Sequence, residues 1–281
     1  MSRMGDVLAG FHAAWEFESD SVLIRYERGM RTPKLFQALG ERRIPFEAIE
    51  TVTLAPGRRG TVVLRAEPRP GADPLMEAAA GQLKEGCEPY RLVLPAERET
   101  LAEYYADELR ARLKQTGPAE RFLVAAPEVP LRFKAYDGKA SFDGKTVFFR
   151  WFWTGASSAK WKAGDQSFPV ADLNGVEWHS PEVFEGHLRL LRGAAPLVPV
   201  DQDPAAVVFG LGYGPVHESL PFAAAVLSAV RSARPTAVVP AARRDPADIA
   251  ERIRHLAELH TAGLVTDEEF AVKKAELLAE L

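Results

Sequence analysis

The 281-residue chain has one cysteine, Cys87, so it can form no internal disulfide, and it has no Cys/His set with the spacing of a structural zinc site. A reducing compartment is therefore the expectation. Long apolar runs are also missing. The longest, Leu220 to Val230, is well short of the about 20 residues that a membrane span needs. Met1 to Phe11 carries no export-type apolar core after its basic start. These absences predict a cytoplasmic chain with no stable membrane insertion. Charge of one sign is not in excess either, with 35 Lys and Arg against 39 Asp and Glu and a formal net charge of -4. The molecule as a whole thus exerts no pull on nucleic acid or anionic lipid, and any anion site must be a local patch. Apolar residues are plentiful: a 47% hydrophobic content fills two cores in a chain of this length.

The chain repeats itself. Phe17 to Arg25 aligns with Phe142 to Arg150 at an offset of 125 residues, and Ile44-Pro45-Phe46, Ile49 and Val52 align with Phe168-Pro169-Val170, Leu173 and Val176 at 124. Gly60 to Arg65 then matches Gly186 to Arg192, and each copy closes with a helical segment, roughly Arg98 to Leu113 and Val216 to Arg231. The earlier blocks read as strands, rich in β-branched and aromatic residues at Ser21 to Tyr26 and Thr146 to Trp153. Asp143-Gly144 between two such runs is a hairpin turn, because Asp tolerates and Gly prefers positive φ. Short antiparallel strands ending in one helix predict a bent sheet or partial barrel, a layout found in pleckstrin-homology-like (PH-like) domains. In the first copy Pro68 to Pro89 is an insertion, with Asp73 as cap and Pro74 as first residue of a short surface helix.

The expected organisation is α+β: PH-like domain 1 over 1–116, a linker over 117–130, PH-like domain 2 over 131–232, a linker over 233–245 and a helical hairpin over 246–281. In the hairpin, Ile249, Ile253, Leu256 and Leu259 form one apolar stripe. Gly263 ends the first helix, and Thr266 with Glu269 forms a capping box flanked by Val265 and Phe270. Leu277, Leu278 and Leu281 extend the second apolar side. Two short helices cannot bury both stripes on each other, so a partner or the chain's own domains must cover the surplus.

The segment IAERIRHLAELHTAGLVTDEEFAVKKAELL, Ile249 to Leu278, resembles the SHOCT domain, a carboxy-terminal helical module of bacterial proteins. Phe168-Pro169, Leu173, Val176-Glu177-Trp178 and Gly186-His187-Leu188-Arg189 resemble a domain family of unknown function, found mainly in actinobacteria and often in tandem before such a tail. That resemblance implies a PH-like fold and a role in interaction or assembly, and it brings no catalytic residues. Thr53-Leu54 stands in the first copy where the second has Glu177-Trp178.

Catalytic motifs fail on inspection. Gly138 to Thr146 ends in Gly-Lys-Thr, but it has five residues between its glycines where a P-loop has four, and a strand follows instead of a helix. Gly155-Ala156-Ser157-Ser158-Ala159 lacks the second glycine of a nucleophile elbow and reads as a hairpin connection. Gly210 to Gly214 reads as a flexible loop, although its amides precede a helix. The six histidines show no metal spacing, and His179 and His187 are expected on separate strands or turns. No enzyme activity, cofactor or metal is expected, although a fold alone never excludes chemistry.

Two surfaces remain. Arg25 through Arg69 holds ten basic and five acidic residues, and Arg25, Arg42, Arg43, Arg58 and Arg59 are the candidates for binding an anionic headgroup or phosphorylated ligand. The alternative is a solvated face of ion pairs. The run Phe148 to Trp153 places apolar residues on both faces of one strand, which predicts that the other domain or a second chain covers it. Phe149, Trp151 and Trp153, with Ile253, Leu256, Leu259, Phe270 and Leu277 in the tail, are the interface candidates. The leading expectation is a non-enzymatic adaptor with a protein partner or self-association and no nucleic acid. The alternative is a peripheral binder of anionic membranes or ligands through domain 1.

Overall fold

The structure, a computed structural model, describes residues 6–193 and 198–233. The chain divides into two units, 1–233 and 234–281. The predicted hairpin, with Ile253, Leu256, Leu259, Phe270 and Leu277, lies outside the described residues.

The first half begins with β1 (Asp6–Ala9), β2 (Ala13–Phe17) and β3 (Ser21–Tyr26), followed by a short helix α1 (Lys34–Leu39) and β4 (Glu41–Pro45), and the four strands form an antiparallel meander. A second antiparallel sheet follows, built from β5 (Ile49–Pro56), β6 (Thr61–Pro68) and, after the inserted helix α2 (Pro74–Ala79), β7 (Arg91–Pro95). Helix α3 (Glu99–Arg112) closes the half and packs on the three-stranded sheet. The second half repeats this order. Strands β8 (Leu131–Lys134), β9 (Gly138–Phe142) and β10 (Thr146–Trp151), then helix α4 (Ser158–Ala163) and β11 (Gln166–Pro169), make the four-stranded sheet. Strands β12 (Gly175–His179), β13 (His187–Leu191) and β14 (Ala206–Val208) make the three-stranded one, and α5 (Val216–Ala233) closes it.

The repeat holds at the level of single pairs. Phe17 opposes Val22 as Phe142 opposes Val147, and Val22 opposes Ile44 as Val147 opposes Phe168. The offset falls from 125 to 124 in the segment that carries α1 in one copy and α4 in the other. At the predicted turn, Gly144 has φ of 101° and the Asp143 carboxylate accepts from the Lys145 and Thr146 amides at 2.8 and 2.7 Å. The Gly-Lys-Thr sequence is therefore hairpin and strand. The Gly155 segment connects the antiparallel neighbours β10 and β11, as expected, but the connection carries a helix: Ser157 caps α4, its hydroxyl accepting from the Lys160 amide.

The inserted helix begins as its sequence predicts, with the Asp73 carboxylate accepting from the Leu75 amide at 2.9 Å. It is not a surface helix. Pro74, Leu75, Ala78 and Ala79 are buried, and α2 packs on α5 of the second half, as α1 also does. Leu35, Leu75, Ala78 and Ala79 thus join the second half's core, where small alanines on both helices allow a close approach. The segment after α3 runs back along the insertion, its Leu123 and Val124 amides donating to the Ala72 carbonyl.

Candidate functional site

Two clefts open along the seam between the halves, and His217 lines both. The first, of about 890 Å³, gathers Arg25, Arg28, Arg42, Arg43 and Arg132 with Glu41, Glu128 and Glu218. Three of the five anion candidates therefore meet here. Arg58 and Arg59 do not, since they occupy the turn between β5 and β6.

Most of this charge is already answered. Arg42 is buried and donates to Asp73 at 2.8 Å and to the Tyr90 hydroxyl at 3.0 Å, while that hydroxyl donates to the other Asp73 oxygen. Burial works against the Arg42 charge, but Tyr90, Asp73 and Tyr26 outweigh it and hold the guanidinium above its ordinary value. Burial likewise pushes the Tyr26 and Tyr90 phenols up. Arg42 is thus a structural cation tying β4 to the cap of α2, which corrects its reading as an anion ligand. Arg25 pairs with Glu16 at 2.7 Å, and Arg43 pairs with Glu18. Counting those partners with the lining carboxylates, the five arginines of the cleft face six carboxylates, so the local excess seen in the sequence disappears. Arg28 and Arg132 are the cleft arginines with no ion pair among the described residues.

The second cleft, of about 880 Å³, is a groove lined largely by apolar groups, including Leu35, Val183, Phe209, Leu211, Tyr213 and Val216. Its rim is unusual for its exposure: Phe184 is 92% exposed and Leu211 102%. The sequence reading missed both, having taken Gly210 to Gly214 as a flexible loop. The loop is ordered by hydrogen bonds from Tyr213 to Gly210 and from Gly214 to Lys134 at 2.9 and 2.7 Å. The available signal was large apolar residues set in Gly- and Pro-rich connections, where the chain offers them no core.

The aromatic strand needs no cover. Val147, Phe149 and Trp151 alternate inward while Phe148 and Arg150 face out, an ordinary period of two hidden in a continuous apolar run. Phe149 and Trp151 therefore belong to the second half's core and not to an interface. Trp153, beyond the strand, is 79% exposed and meets Trp161 edge to face at 5.7 Å. The halves do pack together, through α1, α2 and α5 rather than through this strand.

Two polar clusters remain. Lys160 on α4 is fully buried, with Nζ 2.5 Å from Asp137 and over the Trp151 ring at 5.1 Å; the other Asp137 oxygen accepts from the Val208 amide at 3.0 Å. Burial pulls both groups toward their neutral forms, the Asp137 carboxyl up and the Lys160 ammonium down. In the other cluster His179 and His187 lie on separate strands, as expected, but on adjacent ones. They are directly opposed on β12 and β13, with rings stacked at 4.5 Å, and the Glu177 carboxylate lies 2.8 Å from His179 Nε2. Strand pairing brought together what spacing along the chain had separated.

No helix among the described residues is long and apolar enough to cross a membrane. No curated protein matches the chain. A family model described as Domain of unknown function (DUF4429) matches residues 15–110 and again 140–227, and one described as Short C-terminal domain (SHOCT) matches 251–278. The two DUF4429 matches coincide with the two halves and together cover well over half of the sequence. The chain therefore belongs to the DUF4429 family, with two copies of that domain in tandem and a SHOCT domain at the C-terminal end.

Proposed function

We propose that this is a non-enzymatic interaction protein in which two PH-like halves form a rigid platform for self-association. The PH-like reading is supported by the order common to both halves, four antiparallel strands, then three, then a closing helix. The observation that carries the functional reading is the apolar groove with Phe184 and Leu211 standing in solvent at its rim. Projecting apolar side chains next to an apolar concavity make a self-complementary surface, because a two-fold axis sets each projection into the other copy's groove. The rim charges suit the same occupant: Lys34 and Glu185, both in the groove lining, have no ion-pair partner among the described residues, and a two-fold arrangement offers each to the other.

Light scattering on the full chain tests this. The wild type is expected to exceed the 30.9 kDa monomer mass in a concentration-dependent way, and the Phe184→Asp/Leu211→Asp variant to remain monomeric. A wild type that stays monomeric, or a double variant that associates as the wild type does, overturns the reading. If Leu256→Asp alone abolishes association, the tail and not the groove is the contact.

A second reading, peripheral binding of an anionic headgroup, rests on Arg28 and Arg132, the arginines of the first cleft with no ion pair among the described residues. It predicts recovery with anionic vesicles that falls as salt rises. The six carboxylates around that cleft favour the first reading.

A further inference from the structure

The trio Glu177, His179 and His187 is the one group of three or more His, Cys, Asp or Glu side chains among the described residues whose ligating atoms converge, each lying within 4.8 Å of the others. We infer that it binds one divalent transition-metal ion of the zinc type per chain. The first reason is backbone geometry. Glu177 and His179 are two apart on β12 and so share a face, and His187 is placed directly opposite His179 by the strand register.

The second reason is the state of His187, which is only 7% exposed. Its Nδ1 lies 2.7 Å from the Glu185 carbonyl oxygen, an acceptor only, so Nδ1 carries the proton and Nε2 is left with a free lone pair. That Nε2 is buried and has no hydrogen-bond partner among the described residues. A buried acceptor without a donor is a liability the fold has no reason to keep. The same arrangement, one ring nitrogen donating to a backbone carbonyl and the other free, is how metal-binding histidines are held in the correct tautomer. His179 and Glu177 are partly exposed, so their side chains can turn toward His187 and leave a coordination position open to water.

The duplication supplies an internal control. At the equivalent positions of the first half the chain has Thr53, Ala55 and Val63, with Ala55 opposing Val63 as His179 opposes His187. The fold itself therefore does not require the trio. Charge also allows a cation. Arg189 approaches Glu177 at 3.9 Å but lies closer to Asp203, at 3.1 Å, so two carboxylates surround one guanidinium before any ion arrives. Two imidazoles and a carboxylate suit Zn²⁺ and its neighbours, whereas Mg²⁺ and Ca²⁺ prefer oxygen ligands throughout.

The test is calorimetric titration of the untagged full chain with Zn²⁺, paralleled by Co²⁺ titration followed through its visible absorption bands. One equivalent is expected to bind, undisplaced by excess Mg²⁺. His179→Ala and Glu177→Gln, at partly exposed positions, are each expected to keep the metal-free melting temperature and to weaken binding about tenfold or more. Failure to bind either ion overturns the inference. So does binding that persists unchanged in both variants, or that is lost on replacing His255 and His260 while the trio is intact.

Discussion

Lys160 and Phe36 occupy equivalent places in the two halves, as do Trp151 and Tyr26, yet the two sites are solved with different chemistry. In the first half Phe36 stacks on Tyr26 with ring centroids 4.7 Å apart. In the second the ammonium of Lys160 lies over Trp151 and pairs with Asp137. A buried ion pair rarely outperforms the apolar pair it replaces, but breaking it from one side leaves an uncompensated charge. Lys160→Ala is therefore expected to cost about 3–5 kcal/mol in urea unfolding. The double variant Lys160→Met/Asp137→Asn is expected to recover most of that loss, because the asparagine oxygen still accepts from the Val208 amide. None of this was legible in the sequence, where Lys160 sits among Lys162 and other charged residues on what reads as an ordinary surface segment. Burial of a lysine depends on which face of α4 meets the sheet, and a six-residue helix shows too little periodicity to reveal that.

At the scale of elements the sequence was more informative. Helices α3 and α5, the hairpin at Asp143-Gly144 and the capped start of α2 follow from local rules, since caps, turns and amphipathic runs are short-range chemistry. The destination of α2 did not follow, because its run of small apolar residues suits a surface helix as well as a buried one. In the structure Leu75 is fully buried at the contact with the second half. Leu75→Asp places a carboxylate in that contact. It is expected to split a single calorimetric unfolding transition into two, with each half melting on its own. A variant that still unfolds in one step would show that the halves are held mainly elsewhere. The histidine cluster was hidden for a related reason: register across β12 and β13 is a long-range property, and eight residues of separation between His179 and His187 do not announce a pair.

At the scale of the whole molecule, the seam contributes to the pH dependence of stability through His217. Burial pushes His217 below its usual value, with Lys34 adding to the effect and Glu218 opposing it. The folded state thus holds fewer protons on this side chain than the unfolded chain does, and stability rises with pH across that window. Acidification below about 6.5, the ordinary histidine value, is expected to lower the urea midpoint. His217→Gln is expected to flatten that dependence; an unchanged slope would assign it to other groups. The tandem organisation was readable because both copies keep the same strand order, whereas the groove was not, because Phe184 and Leu211 come from connections whose paths only the complete fold determines.

The docking helix α2 occurs in one copy alone: the described part of the corresponding connection in the second half, residues 198–205, is not helical. Each half therefore plays a fixed part, one offering the bolt and the other the socket. A third repeat added in series would meet no counterpart of α2 among the described residues of its predecessor, so it would have to dock through a contact other than this one.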